Sequence, residues 1–91
     1  MLLEPEEVEK KLASYEDWEL SEREISKRFL FPSFLDAIEF VNKVATKAEK
    51  MNHHPDIDIR YQKVRITLST HSEGGITEKD IKLAKIIDDL T

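Results

Sequence analysis

Between Ser33 and Met51 the apolar residues return every third or fourth position. Phe34, Ile38, Val41, Ala45 and Ala48 form one such series, and Ala37, Val41, Val44, Ala48 and Met51 fill the adjoining stripe. That period belongs to an α-helix. Ser33 is a natural N-cap. At the other end Pro55 follows His53-His54, and the residue before a proline is pushed out of helical geometry. The two stripes together make an apolar face wider than one sheet needs, so the spare stripe is expected to face another subunit.

On either side of this helix the period shortens to two. Trp18–Leu20 and Ile25–Phe31 read as a hairpin joined through Ser21–Arg23. Ile25, Phe29 and Phe31 share parity, and Lys27 breaks the set. Ile57–Tyr61 and Val64–Thr70 read as a second hairpin. There Val64, Ile66 and Leu68 point one way and Arg65, Thr67 and Ser69 the other. Gln62-Lys63 is a poor turn pair, which leaves the register open.

Helices close both ends. Pro5 to about Tyr15 starts with proline in the first turn, where a missing N–H costs nothing. Glu6-Glu7 then precede Lys10-Lys11, the order the helix dipole favours. After Gly74-Gly75, the run Thr77-Glu78-Lys79-Asp80 has capping-box spacing, and Ile81, Ala84 and Ile87 line one face. The order is helix, two strands, helix, two strands, helix. Short connections imply antiparallel pairs. The expected fold is an α+β two-layer sandwich: a four-stranded antiparallel sheet with three helices on one face. A chain of 91 residues makes one domain, spanning 1–91.

Composition removes several functions. Fourteen Lys+Arg stand against nineteen Asp+Glu, a net charge of −5. A nucleic-acid binder needs a clustered basic face, so direct binding of nucleic acid is not expected, although a local patch stays open. No apolar run approaches a membrane span, and the start, Met1-Leu2-Leu3-Glu4-Pro5, is no signal peptide. The absence of cysteine removes disulfides and thiolate chemistry. A cytoplasmic location is expected.

Chemistry concentrates on the three histidines, His53, His54 and His71. The first two leave the long helix. His71 follows the last strand on the off-core parity, unless that strand has already ended. Element ends are where sites are usually built. Three readings compete. Histidines at a helix C-terminus satisfy its dipole, with His71 unrelated. A three-histidine metal site is conceivable, but no carboxylate falls at metal-ligand spacing. Metal-free acid–base catalysis suits a side chain that titrates near neutrality. Glu49 lies one turn before His53; it is either a solvated helix charge or an i+4 partner of that histidine, or else a group that holds a donor-rich ligand or tunes the histidine. Asp80 is either an N3 capping acid or a site residue. Trp18, Tyr61 and the phenylalanines read as core, and the Lys and Arg residues as solvated faces.

The segment Glu49-Lys50-Met51-Asn52-His53-His54-Pro55, then Tyr61, then Thr67-Leu68-Ser69-Thr70-His71, then Gly75-Ile76-Thr77-Glu78-Lys79-Asp80 resembles the pterin-4a-carbinolamine dehydratase family. Leu83-Ala84 through Ile87-Asp88 continue the likeness, and the Trp18 and Phe29–Phe31 strands fit it. The resemblance implies a hydro-lyase that removes water from 4a-hydroxytetrahydrobiopterin to give the quinonoid dihydropterin. That reaction recycles tetrahydrobiopterin for an aromatic amino acid hydroxylase. It implies His53 and His71 as the acid–base pair and His54 as a positioning or supporting catalytic group. Glu49, Pro55, Ser69, Thr70 and Asp80 then match substrate-binding or supporting positions. No metal and no separate cofactor are implied, because the pterin is the substrate. Relatives form homodimers and homotetramers, here expected through the long helix or a sheet edge. Some relatives act instead as a dimer-stabilising partner of a transcription factor or as an assembly factor. One departure stands out: many relatives carry Trp where this chain has Ile57.

Overall fold

The computed structural model covers residues 1–91. Its elements are α1 (Pro5–Lys11), β1 (Glu19–Leu20), β2 (Ile25–Leu30), α2 (Phe34–Met51), β3 (Asp56–Arg60), β4 (Lys63–Leu68), a single 3-10 turn (His71–Glu73) and α3 (Glu78–Asp88). The expected order and antiparallel α+β architecture are realised. The sheet runs β1-β2-β4-β3. The two hairpins therefore pair through β2 and β4, with Ile25 opposite Leu68 and Phe29 opposite Val64.

The core forms where the sheet's apolar parity meets the helices. Ile25, Phe29, Val64, Ile66 and Leu68 cover one sheet face, and Ala37, Phe40, Val44 and Ala48 of α2 and Ile81, Leu83, Ala84 and Ile87 of α3 pack on them. Of the two stripes on α2, the one through Ala37, Val44 and Ala48 is buried. Phe34 and Leu35 stay exposed, and Ala45 with them. Phe40, which flanks the buried stripe on its far side, enters an aromatic cluster with Phe29 and Phe31 at centroid separations of 4.8 and 4.9 Å.

Lys27 sits on the core parity yet does not disrupt the core. Its ammonium reaches Asp88 at the end of α3 at 2.7 Å, and lies 5.1 Å from the Phe29 ring centroid. Trp18 donates its indole N–H to the other oxygen of Asp88 at 3.0 Å and meets Phe29 edge-on. The stem of Lys27 thus covers apolar surface while its charge is paired.

Boundaries differ from expectation at several element ends, β2 closing at Leu30 and β4 at Leu68 among them. Helix α1 stops at Lys11, with residues 12–14 forming a turn, and Trp18 precedes β1 rather than lying in it. The β3–β4 loop is Tyr61-Gln62, because Arg60 pairs with Lys63. Tyr61 takes the left-handed conformation, φ 53°, that this tight connection requires. Alternation alone cannot show which residue accepts that conformation. No helix is long and apolar enough to cross a membrane.

Candidate active site

The histidine pair is placed by a helix cap. Asn52 adopts the left-handed conformation (φ 52°, ψ 42°) just past α2. Its N–H bonds Glu49 O at 3.1 Å, and the N–H of His53 bonds Ala48 O at 3.1 Å. These are the two bonds of a Schellman motif. They turn the chain sharply, so His53 does not continue the helix and does not meet Glu49. That removes the Glu49–His53 pairing from the readings open for Glu49. Glu49 instead holds His54, with Oε1 2.7 Å from Nε2, in an exposed pair.

His53 turns inward and is only 8% exposed. Its Nε2 lies 2.6 Å from Oδ1 of Asp80, which is completely buried. The other oxygen of Asp80 accepts from the Thr77 N–H at 2.9 Å and from the Thr70 hydroxyl at 2.8 Å. Thr70 and Thr77 also share a 2.7 Å hydroxyl contact. One oxygen of Asp80 thus caps α3 and the other meets a histidine. An ionised carboxylate only accepts hydrogen bonds, so the Nε2 of His53 carries the proton in this pair. Nδ1 of His53 makes no hydrogen bond. No buried side-chain nitrogen or oxygen lacks a partner, so this atom keeps contact with solvent. A neutral imidazole held in this way presents an unprotonated nitrogen outward, the orientation logic of a histidine steered by a buried acid.

His71 follows Thr70, whose hydroxyl meets the same carboxylate, but its own side chain makes no hydrogen bond to it. Strand β4 ends at Leu68, so strand parity no longer governs this residue. Thr70 bridges Gly75 across a tight turn, with Thr70 N–H to Gly75 O at 2.7 Å, and His71 opens that turn exposed to solvent. Gly74 ends the turn at φ 76°. The N-terminal segment straps the same loop from outside. Leu3 N–H bonds Ile76 O at 2.8 Å, and a Cβ on Gly75 would stand 3.1 Å from a methyl of Leu2. Ser69, expected among the substrate-binding groups, donates instead to Arg23 O at 2.7 Å and braces the β1–β2 connection.

An open concavity of about 780 Å³ lies between the C-terminal half of α2 and the start of β3. Glu49, His54, Pro55 and Ile57 line it, together with Thr46 and Lys50. Of the residues expected to touch a ligand, Glu49, Pro55 and His54 stand on this wall. His53 and His71 do not line it, and neither do the buried Thr70 and Asp80. Ala45 and Thr46 were missed as lining groups, although their spacing one turn before Glu49 puts them on its face. Asn52 and Thr77 were also missed as site-building residues. An asparagine just past a helical run, and a hydroxyl in a capping box, were the available signals. No three His, Cys, Asp or Glu side chains converge as a metal site would require.

The family model described as pterin 4 alpha carbinolamine dehydratase matches residues 1–90. The chain belongs to the pterin-4a-carbinolamine dehydratase family. Among its relatives in that family, a provisionally named pterin-4-alpha-carbinolamine dehydratase 2 from Gloeobacter violaceus is 51% identical over 84 residues, covering 88% of this chain and 91% of that protein. A provisionally named dehydratase from Sulfolobus acidocaldarius is 43% identical over 97% of both chains. The crystal structure of a transcriptional coactivator/pterin dehydratase from Brucella melitensis superposes with a TM-score of 0.93 at 35% identity, covering 99% of this chain and 98% of that one. A pterin dehydratase-like protein described as a RuBisCO assembly factor in the α-carboxysome gives 0.71 at 25% identity, over 84% of this chain and 90% of that one. The names in this dehydratase family thus span an enzyme activity and protein-assembly roles.

Proposed function

We propose that this member of the family dehydrates a pterin 4a-carbinolamine, as the hydro-lyase of tetrahydrobiopterin recycling, by histidine acid–base catalysis. The observation that carries the proposal is the buried Asp80, which holds His53 directly and also holds Thr70, the residue before the exposed His71. Dehydration breaks the bond between C4a and its hydroxyl oxygen. A proton must reach the departing oxygen, and a proton must leave the ring nitrogen beside that carbon. Two histidines in opposite protonation states meet both needs near neutral pH. Each positioned transfer contributes about 10²–10⁴-fold. In this reading His54 and Glu49 position the pterin at the concavity, Pro55 and Ile57 give its apolar wall, and Thr70 with Asp80 supports the pair. Ser69 acts at one remove by bracing the loop. No metal and no cofactor beyond the pterin enter the reaction. A soluble cytoplasmic setting beside an aromatic amino acid hydroxylase suits this role.

A stopped assay with freshly generated 4a-hydroxytetrahydropterin tests it, with His53→Ala and His71→Ala beside the wild type. Acceleration over the spontaneous rate, lost by more than tenfold in both variants, is expected. His71→Ala is expected to fold normally, since His71 lies exposed outside the core. A folded wild type that gives no acceleration would overturn the enzymatic reading.

A second reading has its own support. Leu30, Phe34 and Leu35 are 68%, 47% and 73% exposed around the start of α2. An apolar patch of this kind suits self-association into a dimer or tetramer, or a role as another protein's assembly partner. Leu35→Glu, followed by light scattering, is expected to shift the protein to a smaller species. An unchanged mass would remove this patch from the interface.

A further inference from the structure

The sheet face turned away from the helices carries an arrangement of charge that the dehydratase reading does not use. Arg28 stands directly opposite Arg65 across the β2–β4 ladder, and Lys63 stands directly opposite Arg60 across β3–β4. Like charges facing each other across strands are destabilising. Both pairs border one concavity of about 380 Å³, lined by Arg28, Asp58, Arg60, Lys63 and Arg65. Asp58 is its one acid and is engaged by Arg60 at 3.1 Å. Arg65 is held by Ser26 at 2.9 Å and Glu19 at 3.4 Å, which draws its guanidinium toward the Glu19–Ser26 row. Arg28 and Lys63 form no ion pair. Four cations therefore line this concavity with one carboxylate, in a chain whose net charge is −5, and Arg28 and Arg65 also share an adjoining concavity with Asp17 and Glu19.

The boundary of this patch selects its ligand. Two residues along each strand, the same face carries Asp56 opposite Thr67 and Glu19 opposite Ser26. The basic region is thus limited to three strands and two residue rows, about 10 by 7 Å. A nucleic-acid duplex carries a charge every ~1.7 Å along its axis and would run onto the acidic row. A compact anion of two or three linked phosphates would not. Arginine forks match phosphate oxygens in pairs, and lysine adds a point charge. We propose that this face binds a diphosphate or triphosphate group, either inorganic or carried on a nucleotide, at Arg28, Arg60, Lys63 and Arg65.

Titration calorimetry of the full chain at low salt tests the proposal, with sulfate, pyrophosphate and ADP as separate probes. Pyrophosphate is expected to bind more tightly than sulfate at equal ionic strength. Arg28→Gln and Lys63→Gln are each expected to weaken it about tenfold, because neither removes an ion pair from the fold. Tighter binding of ADP than of pyrophosphate would identify a nucleotide as the source of the group, and equal or weaker binding an inorganic or simple ester source. Lys82→Gln, on exposed α3, is the control for bulk charge. Pyrophosphate heat that is absent, no greater than that of sulfate, or reduced equally by Lys82→Gln would overturn the site.

Discussion

Replacing Asp80 by Asn keeps the side chain's shape and turns one acceptor oxygen into an NH2 donor. Asp80 receives the Thr77 N–H and the Thr70 hydroxyl on one oxygen and His53 Nε2 on the other. The Thr77 N–H, at the N-cap of α3, is a donor and cannot become an acceptor. The retained oxygen therefore stays with the threonines, and the new NH2 meets His53. Two donors cannot share a bond, so His53 must carry its proton on Nδ1 instead. The nitrogen that reaches solvent then changes from acceptor to donor. One hydrogen bond to a charged group, worth about 1.5–3 kcal/mol, becomes a neutral one of about 1 kcal/mol. A net loss of about 0.5–2 kcal/mol is tolerable beside the roughly 5–14 kcal/mol expected for 91 residues. The variant should fold, with a lowered melting temperature, and lose about 10²–10⁴-fold in turnover. Long-range ¹H–¹⁵N spectra of the histidine rings read the tautomer directly, independently of activity. A variant whose His53 keeps its proton on Nε2 and whose turnover equals that of the wild type would refute this reasoning.

Three other outcomes are expected. Asn52→Ala should cost about 1 kcal/mol in thermal unfolding, because alanine resists the left-handed cap conformation, whereas Asn52→Gly should not. Equal melting temperatures for the two would show that the cap does not set the histidine turn. Ile57→Trp adds an aromatic face beside the concavity, and stacking worth about 1–3 kcal/mol should lower the KM for pterin roughly tenfold; an unchanged or raised KM would place the ring elsewhere. Turnover should be insensitive to strong chelators. A loss restored by zinc would return the three-histidine metal reading.

The element order was readable because each apolar period was long and uninterrupted. Phe34–Met51 keeps its helical spacing over eighteen residues, and Val64–Leu68 alternates cleanly. What escaped the sequence lay at single residues with unusual backbone. Asn52 and Tyr61 both sit at positive φ. The first redirected Glu49 from His53 to His54, and the second moved the β3–β4 loop by one position. Side-chain networks between distant elements escaped for another reason. Thr70, Thr77 and Asp80 are recognisable one at a time as a strand end and a capping box. Only the packing of α3 beneath the end of β4 puts two hydroxyls and a histidine on one carboxylate. Lys27 looked like an error in the alternation because its partner, Asp88, lies 61 residues away.

That partner has a practical consequence. Trp18 is the only tryptophan in the chain, and its indole N–H is held by the same carboxylate across 70 residues of sequence. Its fluorescence therefore depends on the C-terminal helix docking against the first hairpin. When the helix leaves, the ring loses an anionic neighbour and the edge of Phe29 together, and water takes their place. Emission wavelength and lifetime would then follow that separation with no dye attached, including in variants designed to disturb only the histidines. The protein carries an optical gauge of whether its two ends have met.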